Sequence, residues 1–256
     1  MKPSIVVVTG ASSGIGEGFA RAFVARGHRV LLVARRHERL ESLARELGPL
    51  AEIFVEDVAD PDAPARILAR VAALGATPGG LVNNAGLGKQ AGLVRMSEDD
   101  ITAMLRVNVE SLVRLTRLFL PGMCERRSGF ILNIASTAAF QPVPYFAVYA
   151  ASKAFVVSFS EAVHEEARGF GVHVGCLCPG PVDTEFQQVA GMNPRFFARS
   201  QSVGEVVRAG MGQLEGQAAV AWTSAFQELF SFSVRFVPRC WVRRIAARLM
   251  KASGAE

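Results

Sequence analysis

The sequence predicts an α/β chain: a doubly wound parallel sheet of about seven strands with helices on both faces. Three observations predict it. Short, β-branched apolar runs alternate along the chain with longer segments of helical period. Those runs are nearly continuous in their apolarity, which suits strands covered on both faces, and the segments between them suit right-handed crossovers. The 256 residues are 50% apolar, enough for one large core, and no Pro/Gly/Ser-rich linker divides them before about residue 185. Such a sheet binds its ligand outside the carboxyl ends of its strands, so chemistry is sought where each strand ends.

The first strand is read in "SIVVVTG" (4–10) and runs into "TGASSGIGEGFA". Gly10, Gly14 and Gly16, with Ser12, Ser13 and Ile15 between them, form a glycine-rich turn opening a helix. Glycines there allow a tight turn and close approach of backbone to a pyrophosphate, and the free N–H groups of the helix start attract its charge. A Rossmann-type sheet would carry such a turn after its first strand, and that type is expected here. Its spacing departs from the usual three-glycine fingerprint, so the turn alone decides little.

The second strand, "RVLLVA" (29–34), ends at Arg35 and Arg36. A site selective for NAD would carry an acid here; a guanidinium fork suits a 2′-phosphate instead, so the expected cofactor is NADP. The third strand, "AEIFVE" (51–56), ends at Asp57 and Val58, where a carboxylate is placed to accept from the adenine amino group or to cap a loop. "GLVNNAG" (80–86), "GFILNIAS" (129–136) and "GVHVGCLCPG" (171–180) supply the fourth to sixth strands, and "GQAAVAW" (216–222) a weaker seventh.

"YFAVYAASKAF" (145–155) holds both tyrosines of the chain and one of its four lysines, with Tyr149 four residues before Lys153. Together with "TGASSGIG", "NNAG" (83–86), Asn108 in "VNVE", Ser136 after "NIA" and "PGPVDT" (179–184), this stretch resembles the short-chain dehydrogenase/reductase family over about residues 4–185. The resemblance implies roles at matching positions. Tyr149 becomes the acid/base, Lys153 its partner, Ser136 the polariser of the substrate oxygen, and Asn108 the anchor of a water chain. Cofactor contacts fall on the glycine turn, Asp57 and Val58, Asn84, Ala85 and Gly86, Tyr149 and Lys153, and Pro179, Gly180, Val182 and Thr184.

A tyrosine is a poor acid near neutrality, and lowering its pKa by about three units takes roughly 4 kcal/mol of preference for the phenolate. The Lys153 ammonium one helical turn away is expected to supply it. Ser136, at the end of the neighbouring strand, can hydrogen-bond a carbonyl as charge develops on oxygen. Tyr145 has no lysine at its fourth position and is read as a wall of the substrate pocket. Asn83 is read as a strand brace, and His28, His164 and His173 as structural or surface residues.

The C-terminal third suggests the substrate. The segment 185–201 carries Phe186, Met192, Phe196 and Phe197 without regular periodicity and is read as an apolar substrate lid. The Phe-rich, basic ending resembles the branch of the family acting on fatty acyl, steroid and other lipid-like carbonyls. Residues 1–222 are read as the NADP-binding unit with the catalytic site, and 223–256 as a basic, amphipathic helical extension. The net charge is +5, yet residues 235–251 alone hold six bases and no acid, leaving 22 bases against 23 acids elsewhere. Pro238 opens a helix there in which Trp241, Ile245 and Leu249 repeat every four residues, joined by Val242 and Met250. That pattern suggests peripheral membrane contact through residues 238–251, with packing on the domain or a homodimer partner as the competing reading.

The expected partner is therefore a small apolar carbonyl or alcohol, with no nucleic acid and no metal. Cys124, Cys176, Cys178 and Cys240 lack zinc-like spacing, and placing Cys176 and Cys178 on opposite faces of one strand argues against a bridge between them. Absent a signal peptide or spanning segment, a reduced cytoplasmic protein is expected. The alternative function is a non-catalytic NADP-binding redox sensor or scaffold, which would have no need of Tyr149 with Lys153.

Overall fold

Alternation inside each strand lets one sheet serve two cores. In β1 (Ser4–Thr9), Val6 and Val8 join Val30 and Leu32 of β2 (Arg29–Ala34) in one buried cluster, while Ile5 and Val7 join Leu31 and Val33 in another. The computed structural model describes residues 4–192 and 200–252. After β1 and β2, the strands are β3 (Ala51–Val55), β4 (Thr77–Asn83), β5 (Phe130–Ile134), β6 (His173–Cys178) and β7 (Val220–Trp222). Their order in the sheet is β3-β2-β1-β4-β5-β6-β7, with every neighbouring pair parallel.

Helices cover both faces. Against the first cluster pack α1 (Gly14–Ala25) through Phe19 and Phe23, α2 (His37–Leu47) through Leu40 and Leu43, and α8 (Val203–Gly216) through Val206 and Met211. Against the second pack α3 (Ala63–Ala73) through Ile67, α5 (Ser111–Arg126) through Leu115, Phe119 and Met123, and α6 (Ala147–Arg168) through Val163 and Ala167. Each fully buried side chain of this size contributes roughly 1.5–3 kcal/mol of transfer free energy. The remaining helices are α4 (Glu98–Leu105), α7 (Glu185–Val189), α9 (Ala225–Ser233) and α10 (Arg239–Ala252).

The winding fixes the place of the site. The chain runs outward from β1 through β2 to β3, then returns to lay β4 against the other side of β1. The two directions part at the carboxyl ends of β1 and β4, the switch point at which such sheets open a crevice.

Several sequence expectations change. Strand β4 begins three residues before the predicted "GLVNNAG", because Thr77 and Pro78 already pair with Ser4 and Ile5 of β1. Strand β7 keeps only Val220–Trp222, the start of the predicted run being the end of α8. The segment 185–201 opens with the short helix α7 and is pinned at its base by a bridge between Val182 and Gln201, while Phe196 and Phe197 lie outside the described residues. Cys176 and Cys178 share a face, with sulfurs 4.0 Å apart, since residues two apart on a strand point the same way. All four cysteines are free. No helix among the described residues is long and apolar enough to cross a membrane.

Candidate active site

At the switch point the glycines are needed by geometry. Gly10 and Gly14 have φ of +65° and +58°, and a Cβ on Gly10 would stand 2.9 Å from the Ala85 Cα. The two loops that meet there are tied by Asn84, whose Nδ2 donates to the carbonyls of Thr9 (3.0 Å) and Gly10 (3.2 Å). The Thr9 hydroxyl accepts from the backbone N–H of Asn84 and Ala85. Asn83 braces the strands, donating to Asn133 Oδ1 at 2.9 Å. Gly16 serves the turn from beneath, since a Cβ there would fall 2.4 Å from the Gly10 carbonyl oxygen; it does not line the cleft.

The crevice is a cleft of about 560 Å³, within the range of small-molecule sites. At one end lie Ser12, Ser13, Gly14, Ile15, Arg35, Arg36, Asp57 and Val58. Arg36 Nε donates to Ser12 Oγ at 3.1 Å and Nη2 to Ser13 Oγ at 2.7 Å. Arg35 Nη1 stands 3.6 Å from Asp57 Oδ2, and Asp57 Oδ1 also accepts from Ala59 N, so this acid holds its own loop as well. These residues fit a dinucleotide. The turn leaves no room for side chains, Ser13 at the N-cap of α1 makes no side-chain capping bond, and two guanidinium groups stand where a 2′-phosphate would need them. Asn84, Ala85, Gly86, Pro179, Gly180, Val182 and Thr184 line the middle of the same cleft.

At the other end, α6 places Tyr149 and Lys153 one turn apart, both buried. Ser136 follows β5 and caps the 3₁₀ turn Thr137–Phe140, its Oγ accepting from Ala138 N at 3.1 Å. Its hydroxyl also acts on Tyr149 in the direction that lowers the tyrosine's pKa. Lys153 Nζ donates to the Ile134 carbonyl at 2.8 Å and lies 5.8 Å from the centre of the Tyr149 ring.

The electrostatics depart from the expected phenolate. Burial pushes the Tyr149 hydroxyl up to about 12, only partly opposed by the bond from Ser136, and burial pushes Lys153 down to about 8. In the chain by itself Tyr149 therefore keeps its proton.

Besides Gly16, two predicted site residues lie outside the cleft lining. Asn108 sits in a π-helical turn, Arg106–Glu110, between α4 and α5. Its Oδ1 accepts from Leu87 N (2.8 Å), while Nδ2 donates to Leu87 O (2.9 Å) and Ser152 Oγ (3.0 Å). The amide thus clamps the loop after β4 onto α6. Tyr145, at φ of 62°, lines a smaller depression of about 220 Å³ with Gly92, Leu93, Met96 and Ala247. Its left-handed backbone, one residue before the N-cap Phe146 of α6, goes with this separate placement.

Phe146 takes the place foreseen for Tyr145, stacked on the Tyr149 ring at 4.3 Å, and Phe186 of α7 meets the same ring at a tilt, 5.5 Å away. Leu87, Val143, Met192 and Met250 complete the apolar lining. Phe146 could have been found from its place three residues before Tyr149, one turn back. Met250, about a hundred residues further on, carried no such signal.

Comparison with known proteins shows the family. The family model described as short chain dehydrogenase matches residues 4–194. The NADP-dependent 3-hydroxy acid dehydrogenase YdfG of Salmonella typhi is 42% identical over 189 residues, covering 72% of this chain and 75% of its own length. The very-long-chain 3-oxoacyl-CoA reductase of Anas platyrhynchos is 37% identical over 193 residues, covering 72% of this chain and 61% of its own. Among solved structures, a short-chain dehydrogenase from Sphingobium yanoikuyae in complex with NADPH matches at a TM-score of 0.82 and 31% identity, over 87% of this chain and 88% of the other.

Proposed function

Given that this chain belongs to the short-chain dehydrogenase family and is an NADP-dependent oxidoreductase, we propose that its substrate is an apolar, lipid-like carbonyl or secondary alcohol. The observation that carries this reading is the wall beside Tyr149: Phe146, Phe186, Met192 and Met250 line the cleft and cluster with its side chain. A 3-hydroxy acid would bring a carboxylate that needs a cation beside the reacting carbon. Among the described lining residues the cations are Arg35 and Arg36 at the far end and Lys153, already committed to Ile134. An acyl chain or ring system meets no such cost in that wall.

The residues divide the chemistry between them. NADP(H), when bound in the cleft, would supply or accept the hydride at the substrate carbon. Ser136 and Tyr149 both present hydroxyls to the substrate oxygen, Ser136 to polarise it and Tyr149 to transfer its proton during reduction. Because burial holds Tyr149 protonated, the acid needs no prior loading at neutral pH. Lys153 stabilises the phenolate that remains, and its own depressed pKa suits it to return a proton. A sensor has no need of this arrangement and is not favoured.

The extension at 223–256 supplies the rest of the proposal. On α10, Val242 and Met250 are buried while Trp241, Ile245 and Leu249 are exposed at 63%, 51% and 55%, among arginines and no acids. One face thus reaches the substrate wall and the other offers an apolar stripe with cationic flanks to an anionic bilayer surface, in a cytoplasmic protein. A homodimer would compete for the same stripe. The substrate reading is tested by following NADPH absorbance with long-chain 3-oxoacyl thioesters, ketosteroids, retinal and quinones, and NADP+ reduction with short 3-hydroxy acids. We expect kcat/KM for the best apolar substrate to exceed that for any short hydroxy acid by about a hundredfold; the reverse order assigns the site to hydroxy acids.

A further inference from the structure

Two guanidinium groups converge on one carboxylate at the NADP-selecting end of the cleft. Arg36 Nη1 donates to Glu185 Oε2 at 2.7 Å and Arg39 Nη2 to Glu185 Oε1 at 2.9 Å. The other nitrogens of Arg36 are engaged by Ser12 and Ser13, so the Nη1 edge is the one that Glu185 occupies. A carboxylate and a phosphate ask the same thing of a guanidinium, a fork of N–H donors facing anionic oxygens, and one edge cannot serve both at once. All three side chains are 41% to 56% exposed, so these pairs are screened by water and readily exchanged.

Glu185 also occupies a strategic place in the chain. It follows Thr184 at the first position of α7, a helix of only five residues with little stability of its own. The next residue, Phe186, is the one that rests on the Tyr149 ring. Whatever holds Glu185 therefore also holds a wall of the substrate site. The Arg36 guanidinium keeps the Glu185 carboxyl below its usual pKa range, so the group is anionic wherever the enzyme works.

We propose that Glu185 is an internal stand-in for the 2′-phosphate of NADP(H): it occupies Arg36 and Arg39 until the phosphate displaces it, and its release frees α7 and Phe186 beside Tyr149. Selection of the cofactor and opening of the substrate wall are then one exchange of anions. NAD(H), lacking the 2′-phosphate, leaves the Glu185 pairs in place.

Calorimetric titration of the full chain with 2′,5′-ADP and with 5′-AMP tests this in wild type, Glu185→Gln and Glu41→Gln. Glu41 lies on α2 paired with His37 and controls for loss of one negative charge. Glu185→Gln should bind 2′,5′-ADP about three- to tenfold more tightly than wild type, the scale of one or two screened ion pairs, with 5′-AMP unchanged. Hydrogen exchange over residues 185–190 should quicken in wild type on adding 2′,5′-ADP and not on adding 5′-AMP. Equal or weaker binding of 2′,5′-ADP by Glu185→Gln overturns the proposal, as does an equal gain in Glu41→Gln or exchange that does not respond. A wild-type preference for 2′,5′-ADP that Glu185→Gln leaves unaltered overturns the stand-in while leaving NADP specificity intact.

Discussion

Tyr149 is governed by two opposing influences, and only one of them can be read from sequence. The i, i+4 spacing places the Lys153 side chain one turn away, which on sequence grounds favours the phenolate; burial beside Phe146 and Phe186 favours the neutral phenol, is only partly opposed by Ser136, and pushes the hydroxyl up to about 12. The spacing was legible because a helix has a fixed period, whereas the burial depends on residues distant in the chain, Phe186 among them, 37 positions along. Asn108 shows the same limit, since its motif marks the residue but not that Leu87 and Ser152 take its amide. Tyr149→Phe should bind NADPH as wild type does and lose turnover by about three or more orders of magnitude, since only the proton donor is removed. Tyr145→Phe, outside the cleft, should stay within about threefold of wild type. Turnover numbers for both variants on one good carbonyl substrate decide the assignment, and a Tyr149→Phe enzyme at wild-type rate would end it.

At the scale of elements, the strand cores were legible from apolar runs, while their ends were decided by pairing. β4 is extended by Thr77 and Pro78 only because β1 lies beside them, and β7 is short because β6 pairs with it only from Cys176 onward. β6 also buries His173, whose two ring nitrogens lack partners, edge-on to His164 of α6 at 5.6 Å. Burial, with the neighbouring His164, pushes the His173 pKa down to about 4. An unfolded chain would take up a proton there at about 6.5, so between pH 6.5 and 4 the unfolded state binds more protons and stability falls as the pH is lowered. Above pH 6.5 the residue has no such effect. His173→Phe removes the titration, so the loss of stability between pH 6.5 and 4.5 should be smaller than in wild type by about 1–3 kcal/mol. Urea midpoints at the two pH values measure it. A packing cost of the new ring appears at both and cancels, and an identical acid loss in the two proteins would clear His173 of the effect.

Across the whole molecule, the helical extension brings the substrate wall and the outer surface onto one element. Met250 lines the cleft, Val242 is buried, and Trp241, Ile245 and Leu249 face outward between Arg243, Arg244 and Arg248. The four-residue repeat was visible in the sequence, but a periodic pattern does not say which of two apolar edges meets the protein. The fold answers that by burying the narrower edge and leaving the tryptophan side exposed. An exposed stripe of this kind costs solubility unless something covers it, and on the proposed bilayer reading the arginines beside it would favour an anionic surface over a neutral one. Because the stripe is largely exposed and none of its three residues lines the cleft, it can be altered without disturbing the cleft. The triple variant Trp241→Gln, Ile245→Gln, Leu249→Gln should therefore keep NADPH binding and thermal stability within about 1 kcal/mol of wild type. Wild type should sediment with vesicles containing phosphatidylserine at low salt and be released at high salt, each contacting base contributing about 1 kcal/mol, whereas the variant should remain in the supernatant. Sedimentation equilibrium without lipid separates the competing occupant: if wild type is dimeric, the variant monomeric and neither binds vesicles, the stripe is a subunit interface and the bilayer reading is lost.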